Sequence, residues 1–260
     1  MNILDQIVSR KKEEVAIAKQ KVAVSALESL AGFARTPYRF KDFLLDKSRT
    51  GIIAEFKRRS PSKGLINGTA DVAEVTKAYN LAGASALSVL TDADFFGGNA
   101  HDLSQARSAN DIPILRKDFM IDEYQILEAK AWGADIILLI ASILTPQEIS
   151  TFGKFAQSLG LNVLLEVHNQ EELERSICPH LDAIGVNNRN LGDFTVNIQT
   201  SFDLVDRIPN EFLKISESAI DNPEVIKDLK KVGYHGFLIG ESFMKTKDPG
   251  LAIRTFVKSL

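Results

Sequence analysis

The chain has one cysteine, Cys178, so no internal disulfide can form, and Cys178 reads as a small filler residue. Its four histidines, His101, His168, His180 and His235, are scattered, and no Cys/His spacing typical of a metal site occurs. Long apolar runs are missing too. The longest, residues 136–141, is far too short to span a bilayer. The N-terminus, MNILDQIVSRKKEEV, lacks an apolar core and mixes acidic with basic residues, so neither a signal peptide nor a transit peptide is expected. A cytoplasmic location is the default expectation. Nor is there an excess of either charge: 31 Lys and Arg stand against 34 Asp and Glu, a net charge of −3. This argues against nucleic acid or an anionic membrane as the main partner. An anionic ligand has to be drawn by a local cluster of Lys and Arg.

What is present suits one large globular domain: 260 residues, 45% hydrophobic and 25% charged. Short apolar runs recur at 51–55 (GIIAE), 86–90 (ALSVL), 112–115 (IPIL), 135–141 (DIILLIA), 161–167 (LNVLLEV), 183–186 (AIGV), 213–216 (LKIS) and 236–239 (GFLI). Each is too short for a helix and too apolar for a half-exposed strand, which is the pattern of buried parallel strands. Amphipathic stretches lie between them at 72–81, 123–131, 146–159, 169–176 and 223–231. Glycines 83, 133, 160 and 233 stand at expected helix C-termini, and Thr145-Pro146 and Asn222-Pro223 have N-cap chemistry. Strand–helix alternation suits a closed barrel or an open doubly wound sheet. Eight units favour the barrel, because that count closes it. The expectation is a single (β/α)8 TIM barrel domain over residues 1–260, with residues 1–48 an N-terminal helical extension. In that extension Ile3, Leu4, Ile7, Val8 and Val15 fall near helical spacing, and the charge run Arg10 to Glu14 reads as its solvated face.

In such a barrel the active groups sit at the carboxyl ends of strands. There the runs break into polar residues: Glu55 and Lys57, Asp92, Lys117, Glu166, Asn187 and Arg189, Glu217 and Ser218, and Gly240. Burying so many charges at one end without purpose would cost several kcal/mol each, roughly a domain's whole stability if summed. For any single residue, a paired ion network plugging the barrel top is a fair competitor. Phosphate in these barrels is held by backbone after strands 7 and 8. Here those segments are Ser218-Ala219-Ile220 and Gly240-Glu241-Ser242. Gly240 permits close backbone approach or simply a tight turn, and Glu241 is expected to offer its N–H while its carboxylate points to water. The loop 58–68 (RRSPSKGLING) reads either as a lid closing on an anion or as a solvent loop; Arg58, Arg59 and Lys63 individually read as solvated.

Several segments together resemble the indole-3-glycerol-phosphate synthase family of tryptophan biosynthesis. They are 53–64 (IAEFKRRSPSKG), 95–98 (FFGG), 114–119 (ILRKDF), 124–126 (YQI), 136–140 (IILLI), 165–167 (LEV), 184–191 (IGVNNRNL), 215–220 (ISESAI) and 237–244 (FLIGESFM). The resemblance covers nearly the whole chain. It implies a carboxy-lyase that closes the indole ring of 1-(2-carboxyphenylamino)-1-deoxyribulose 5-phosphate with loss of carbon dioxide and water, using no cofactor and no metal. It implies Lys117 as general acid, Glu166 as general base, Lys57 on the substrate carboxylate, and Glu55, Asn187 and Glu217 as orienting groups. Ser60 and the backbone at Ser218, Ala219, Gly240 and Glu241 would hold the phosphate, with Arg189 also at the substrate. Phe96, Phe119 and Leu138 are candidates for the aromatic slot, or plain core. The family usually has Gly where this chain has Ala219, which would be strained if the position needs positive φ. The expected partner is a small phosphorylated molecule, with no nucleic acid and no membrane, and the expected assembly is a monomer or weak homodimer. The alternatives are another phosphate-binding barrel of the same pathway or of histidine biosynthesis, such as phosphoribosylanthranilate isomerase, and a non-catalytic binder of a phosphorylated ligand or assembly partner. That isomerase calls for a catalytic Cys near a strand end, whereas Cys178 falls in a helix-to-strand connection. The second predicts loss of Lys57, Lys117 or Glu166, and all three are present.

Overall fold

The computed structural model describes residues 3–190, 192 and 194–260; Leu191, the last residue of the 184–191 segment, lies outside the described residues. Eight parallel strands close into one barrel: β1 (Ile52–Phe56), β2 (Ala86–Leu90), β3 (Ile114–Lys117), β4 (Ile136–Ile140), β5 (Asn162–Val167), β6 (Ala183–Asn187), β7 (Leu213–Glu217) and β8 (Gly236–Ile239), with β1 pairing β8. A strand turns alternate residues to opposite faces, so each run feeds two cores. Outward residues such as Ile52, Ala54, Leu87, Val89, Ile137 and Leu139 pack under the surrounding helices. Inward residues Ile53, Ala86, Leu115, Ile136, Leu138, Leu164, Ala183, Ile215 and Leu238 fill the barrel.

Following four N-terminal helices, the barrel helices are α5 (Val72–Leu81), α6 (Ala100–Ala109), α7 (Glu123–Trp132), α8 (Pro146–Ser158), α9 (Gln170–Ser176), α10 (Gln199–Leu204), α11 (Pro223–Lys231), α12 (Glu241–Met244) and α13 (Pro249–Val257), and they begin and end where local chemistry directs. Helix α8 (Pro146–Ser158) carries a full capping box of Thr145 and Glu148, with Pro at its start. Helix α11 (Pro223–Lys231) is capped by the Asn222 side chain. Helix α7 (Glu123–Trp132) ends on Gly133 at φ 92°, a left-handed turn that glycine takes without a steric penalty. The third strand differs from the apolar run that announced it. Pro113 has no N–H to give to the ladder, so the strand starts at Ile114 and runs on through the charged Arg116 and Lys117.

Four helices precede β1: α1 (Ile3–Lys21), α2 (Val24–Glu28), α3 (Ala31–Ala34) and α4 (Phe40–Leu44). Phe40 and Leu44 join the barrel's inner core, where burying each contributes roughly 1.5–3 kcal/mol. Leu27 and Phe33 pack with Tyr124 and Ala131 of α7. The Tyr124 hydroxyl donates to the Val22 carbonyl at 2.8 Å. Helix α1 lies across the carboxyl end of the barrel, its Ile7 packed with the inner core.

In the charge run on α1, Arg10, Lys12 and Glu13 are exposed as a solvated face requires, but Lys11 is not. Lys11 is only 1% exposed. Its Nζ lies 2.9 Å from Asp92, 2.9 Å from Asp118 and 2.8 Å from Glu14, which pins the helix to the ends of β2 and β3. Burial works against this charge, but Asp118, Asp92 and Glu14 outweigh it and hold Lys11 above the ordinary lysine value. Arg58 is likewise partnered. Its guanidinium grips Asp102, at 2.9 Å for the Nη2 contact, and sits over the Phe56 ring. Among the described residues, no helix is long and apolar enough to cross a membrane, and no group of three His, Cys, Asp or Glu side chains is arranged to hold a metal ion.

Candidate active site

Two residues beyond an inward apolar residue, a strand again faces inward. Ile53 is thus followed by Glu55, Leu115 by Lys117, Leu164 by Glu166 and Ile215 by Glu217. Parallel register then sets these ends level. Lys117 pairs with Leu90, Glu166 with both Ile140 and Gly185, and Asn187 with Glu217. The polar residues therefore meet in one layer at the carboxyl end of the barrel.

Lys117 and Glu166 face each other there, Nζ to Oε2 at 2.5 Å, with Glu217 Oε2 at 3.4 Å from the same ammonium. Asn187 Nδ2 donates to Glu166 Oε1 at 3.1 Å, and Lys57 Nζ lies 2.6 Å from Glu55 Oε1. Two glycines make this crowding possible. A Cβ on Gly185 would stand 2.2 Å from Glu217 Oε1, and one on Gly240 would stand 2.5 Å from Glu55 Oε1. These side chains line a cavity of about 130 Å³ with an apolar flank. Phe96 and Phe119 form part of that flank, their ring centroids 5.9 Å apart, along with Leu138 and Ile3, Leu4 and Ile7 of α1. Phe96 is held by Asp92, whose carboxylate accepts from the backbone N–H groups of Phe95 and Phe96.

The charges are not equivalent. Burial opposes the Lys117 ammonium, but Glu166, Glu217 and Glu55 outweigh it and hold its pKa above the ordinary lysine value. Burial also opposes ionised Glu166, yet Lys117 and His168 hold it well below the usual carboxylate range. Glu217 goes the other way. Burial pushes it up to about 7, helped by repulsion from Glu166 and Glu55 and opposed by Lys117. Its Oε1 is buried without a hydrogen-bond partner among the described residues. One mouth thus holds an ammonium, an ionised carboxylate and a carboxyl poised near neutrality.

A second cavity, about 170 Å³, adjoins the first and shares Glu55, Lys57, Arg189, Ser218, Leu238 and Glu241 with it. Ala219 and Gly240 also line it. Ser218 and Ala219 are both left-handed, at φ 66° and φ 60°. Two such residues in succession without glycine cost on the order of 1 kcal/mol each, a strain of the kind that clusters at ligand sites. Gly240 leads into the short helix α12 (Glu241–Met244). The Glu241 carboxylate does not point away to water as expected. It lies 3.5 Å from Arg189 Nη2 and 3.5 Å from Lys63 Nζ, and it lines both cavities. Those two cations, drawn from distant loops, pull it over the opening. The loop after β1 is a small hairpin, Arg59–Ser60 against Gly64–Leu65, that lays Ser60, Pro61 and Ser62 along the mouth. Of the site residues expected from the sequence, all but Asp92 line one of these two cavities, and Asp92 instead pairs with Lys11.

Sequence reasoning missed His168, whose Nε2 lies 3.4 Å from Glu166 Oε1. The available signal was its place two residues beyond Glu166, on the same face of the chain. It also missed Lys11 and Asp118, which no local pattern links.

Comparison with known proteins agrees with this geometry. A solved structure of N-acetylmannosamine-6-phosphate 2-epimerase from Clostridium perfringens is similar at a TM-score of 0.60 and 15% identity, covering 84% of this chain and 96% of that one, a likeness of fold alone. Indole-3-glycerol phosphate synthase from Bacteroides thetaiotaomicron is 47% identical over 260 residues, covering 100% of this chain and 99% of that protein. The family model for indole-3-glycerol phosphate synthase matches residues 4–256, from the first helix over the mouth to the last helix of the barrel. Matched along its whole length, the chain belongs to the indole-3-glycerol phosphate synthase family.

Proposed function

We propose that this mouth closes the indole ring of 1-(2-carboxyphenylamino)-1-deoxyribulose 5-phosphate, with Lys117 as general acid and Glu166 as general base. The chain acts as a carbon–carbon lyase of tryptophan biosynthesis, in the cytoplasm, as a monomer or weak homodimer. The observation that carries the residue roles is the 2.5 Å contact between the Lys117 ammonium and the Glu166 carboxylate inside a single cavity with an aromatic flank. The ring carbon bearing the carboxylate attacks the ribulose carbonyl, and Lys117 gives its proton to the carbonyl oxygen. Carbon dioxide leaves and its bonding pair restores the aromatic ring. Lys117, reprotonated, gives the second proton with which the new hydroxyl departs as water, and Glu166 takes a proton from the carbon beside nitrogen. Because Glu166 lies against Lys117, the proton it collects can return directly to the amine. General acid–base help of this kind is worth roughly 10²–10⁴-fold per group.

Lys57, held by Glu55, receives the substrate carboxylate until it leaves. Asn187 fixes Glu166, and Glu217 orients Lys117 through its Oε2. Phe96, Phe119 and Leu138 take the aromatic ring. The phosphate sits in the adjoining cavity against the backbone at Ser218, Ala219, Gly240 and Glu241, with Ser60 across from it. Arg189 turns from Glu241 to the phosphate. The test is indole absorbance on the wild type beside Lys117→Ala and Glu166→Gln. Turnover drops by about 10²-fold or more in each variant. Undiminished turnover in Lys117→Ala would refute the assignment of the acid.

A further inference from the structure

Counting protons in this ring closure shows a net uptake of one proton per turnover. The departing water needs two protons, the carbon beside nitrogen yields one, and the carboxylate leaves as carbon dioxide without contributing any. One proton per turnover therefore has to come from solvent. With substrate bound, the aromatic flank and Ile3, Leu4 and Ile7 of α1 offer no donor on the cavity side.

We propose that His168 and Glu172 form the route by which this proton reaches Glu166, His168 acting as a positioning residue for the base; this rests on the role of Glu166 given above. His168 follows the last residue of β5, and its side chain lies between two carboxylates. Its Nδ1 lies 3.0 Å from Glu172 Oε2, and its Nε2, buried and without a hydrogen-bond partner among the described residues, stands 3.4 Å from Glu166 Oε1. The His168 backbone N–H donates to that same Glu172 oxygen at 2.8 Å, which holds Glu172, at the start of helix α9 (Gln170–Ser176), close to the ring. Side-chain exposure falls along the route, from 14% at Glu172 to 11% at His168 and 2% at Glu166. Outside it lies a polar cavity of about 380 Å³, lined by His168 and Glu172 and by asparagines and threonines such as Asn187, Asn190 and Thr200. A cavity so lined is suited to hold water.

The charged groups facing the ring are Glu166 on its own strand and Glu172 on α9. Arg175 acts on Glu172 from one turn further on, and Lys117 and Glu217 lie behind Glu166. Burial works against a charged ring, yet Glu166 and Glu172 push His168 up to about 10, so it stands protonated at neutral pH. The transfer balances. After Lys117 has given up its proton, the imidazolium passes its Nε2 proton to Glu166 Oε1, the carboxyl group turns, and that same proton moves on to the Lys117 amine. The ring is left neutral with its remaining proton on Nδ1. The side chain then turns about its Cα–Cβ bond to bring the bare Nε2 to the cavity water, where it takes a proton from solvent.

The test uses the full chain at saturating substrate, between about pH 6 and 11, a range that spans the raised His168 value. His168→Ala loses about tenfold in kcat, with KM within about twofold. Tens of millimolar imidazole restore part of that loss, whereas wild type is indifferent to imidazole. Glu172→Gln keeps the ring but removes its outer carboxylate, so the alkaline fall in kcat moves to lower pH. An unchanged kcat in His168→Ala, or a loss that imidazole leaves untouched, overturns the route. If His168→Ala does not fold, a Glu172→Gln profile that superimposes on wild type overturns it equally. Lys117→Ala and Glu166→Gln run alongside separate the two levels. Should both remain active, the underlying assignment fails; should both be dead while His168→Ala is unaffected, only the proton route fails.

Discussion

Replacing Lys11 by Met tests whether the N-terminal helix is held over the mouth by charge. The ammonium is the shared counter-ion of Asp92, Asp118 and Glu14. Removing it leaves two carboxylates with side-chain exposures of 2% and 1%. Breaking a buried ion pair from one side costs about 3–5 kcal/mol. Both carboxylates keep some support. Asp92 still accepts from the Phe95 and Phe96 N–H groups, and Asp118 still has Arg116 Nη2 at 3.1 Å and the Thr91 hydroxyl. The lower end, about 3 kcal/mol, is therefore expected, a fall in Tm of about 6–12 °C at roughly 2–4 °C per kcal/mol. Function should follow stability, because Ile3, Leu4 and Ile7 of the loosened helix line the same cavity as Lys117 and Glu166. KM rises several-fold, on the order of 1 kcal/mol, while kcat changes less. Urea denaturation with steady-state kinetics reads both, and Lys12→Met, an exposed neighbour, stays within about 0.5 kcal/mol of wild type. Asp118 has its pKa depressed in the folded state: burial opposes this, and Lys11 and Arg116 overcome it. Its contribution is present above the ordinary value of 3.8 and is lost as pH falls through the folded pKa, so the gap between wild type and variant narrows in acid. A Lys11→Met enzyme as stable as wild type to within about 1 kcal/mol at neutral pH would refute the reasoning.

Three further outcomes follow from the site. Ala219→Gly, which relieves a residue at φ 60°, raises stability by about 1 kcal/mol in urea and leaves KM and kcat within a few-fold; a large gain in turnover would mean the strained loop compromises phosphate binding. Gly185→Ala drives a methyl to 2.2 Å from Glu217 Oε1, so Glu217 must move, and kcat falls by about tenfold or more; unchanged kinetics would show that Glu217 has room to spare. Glu217 has a folded pKa of about 7 against an ordinary 4.5, so the stability tied to its protonated form is complete below 4.5 and is lost as pH rises through about 7. Glu217→Gln removes that loss, and its urea midpoint should gain on wild type between about pH 5 and 8; parallel curves would count against the raised pKa.

The eight apolar runs announced eight strands because burial on both faces leaves a plain compositional mark. Alternation then told which polar residue at each end shares a face with the barrel interior, and Glu55, Lys117, Glu166 and Glu217 all lie where that rule puts them. The rule slipped at the third strand, where an apolar run included a proline that cannot join the ladder. Charge was read less well. Lys11 belongs to a run that any local pattern assigns to solvent, and Arg58 and Glu241 looked free for the same reason.

Local sequence determines which residues form strands, which face each side chain takes and where a helix is capped, since backbone hydrogen bonding and side-chain alternation are short-range matters. Which charge meets which was left to barrel closure. Lys117 finds Glu166 across 49 residues and Glu217 across 100, while Lys11 reaches Asp92 and Asp118 from a helix outside the repeat. Electrostatic energy depends on distance and burial, and both are set only once the chain has folded. That is why Glu166 and Glu217, two alike letters at the ends of two alike strands, have pKa values shifted in opposite directions.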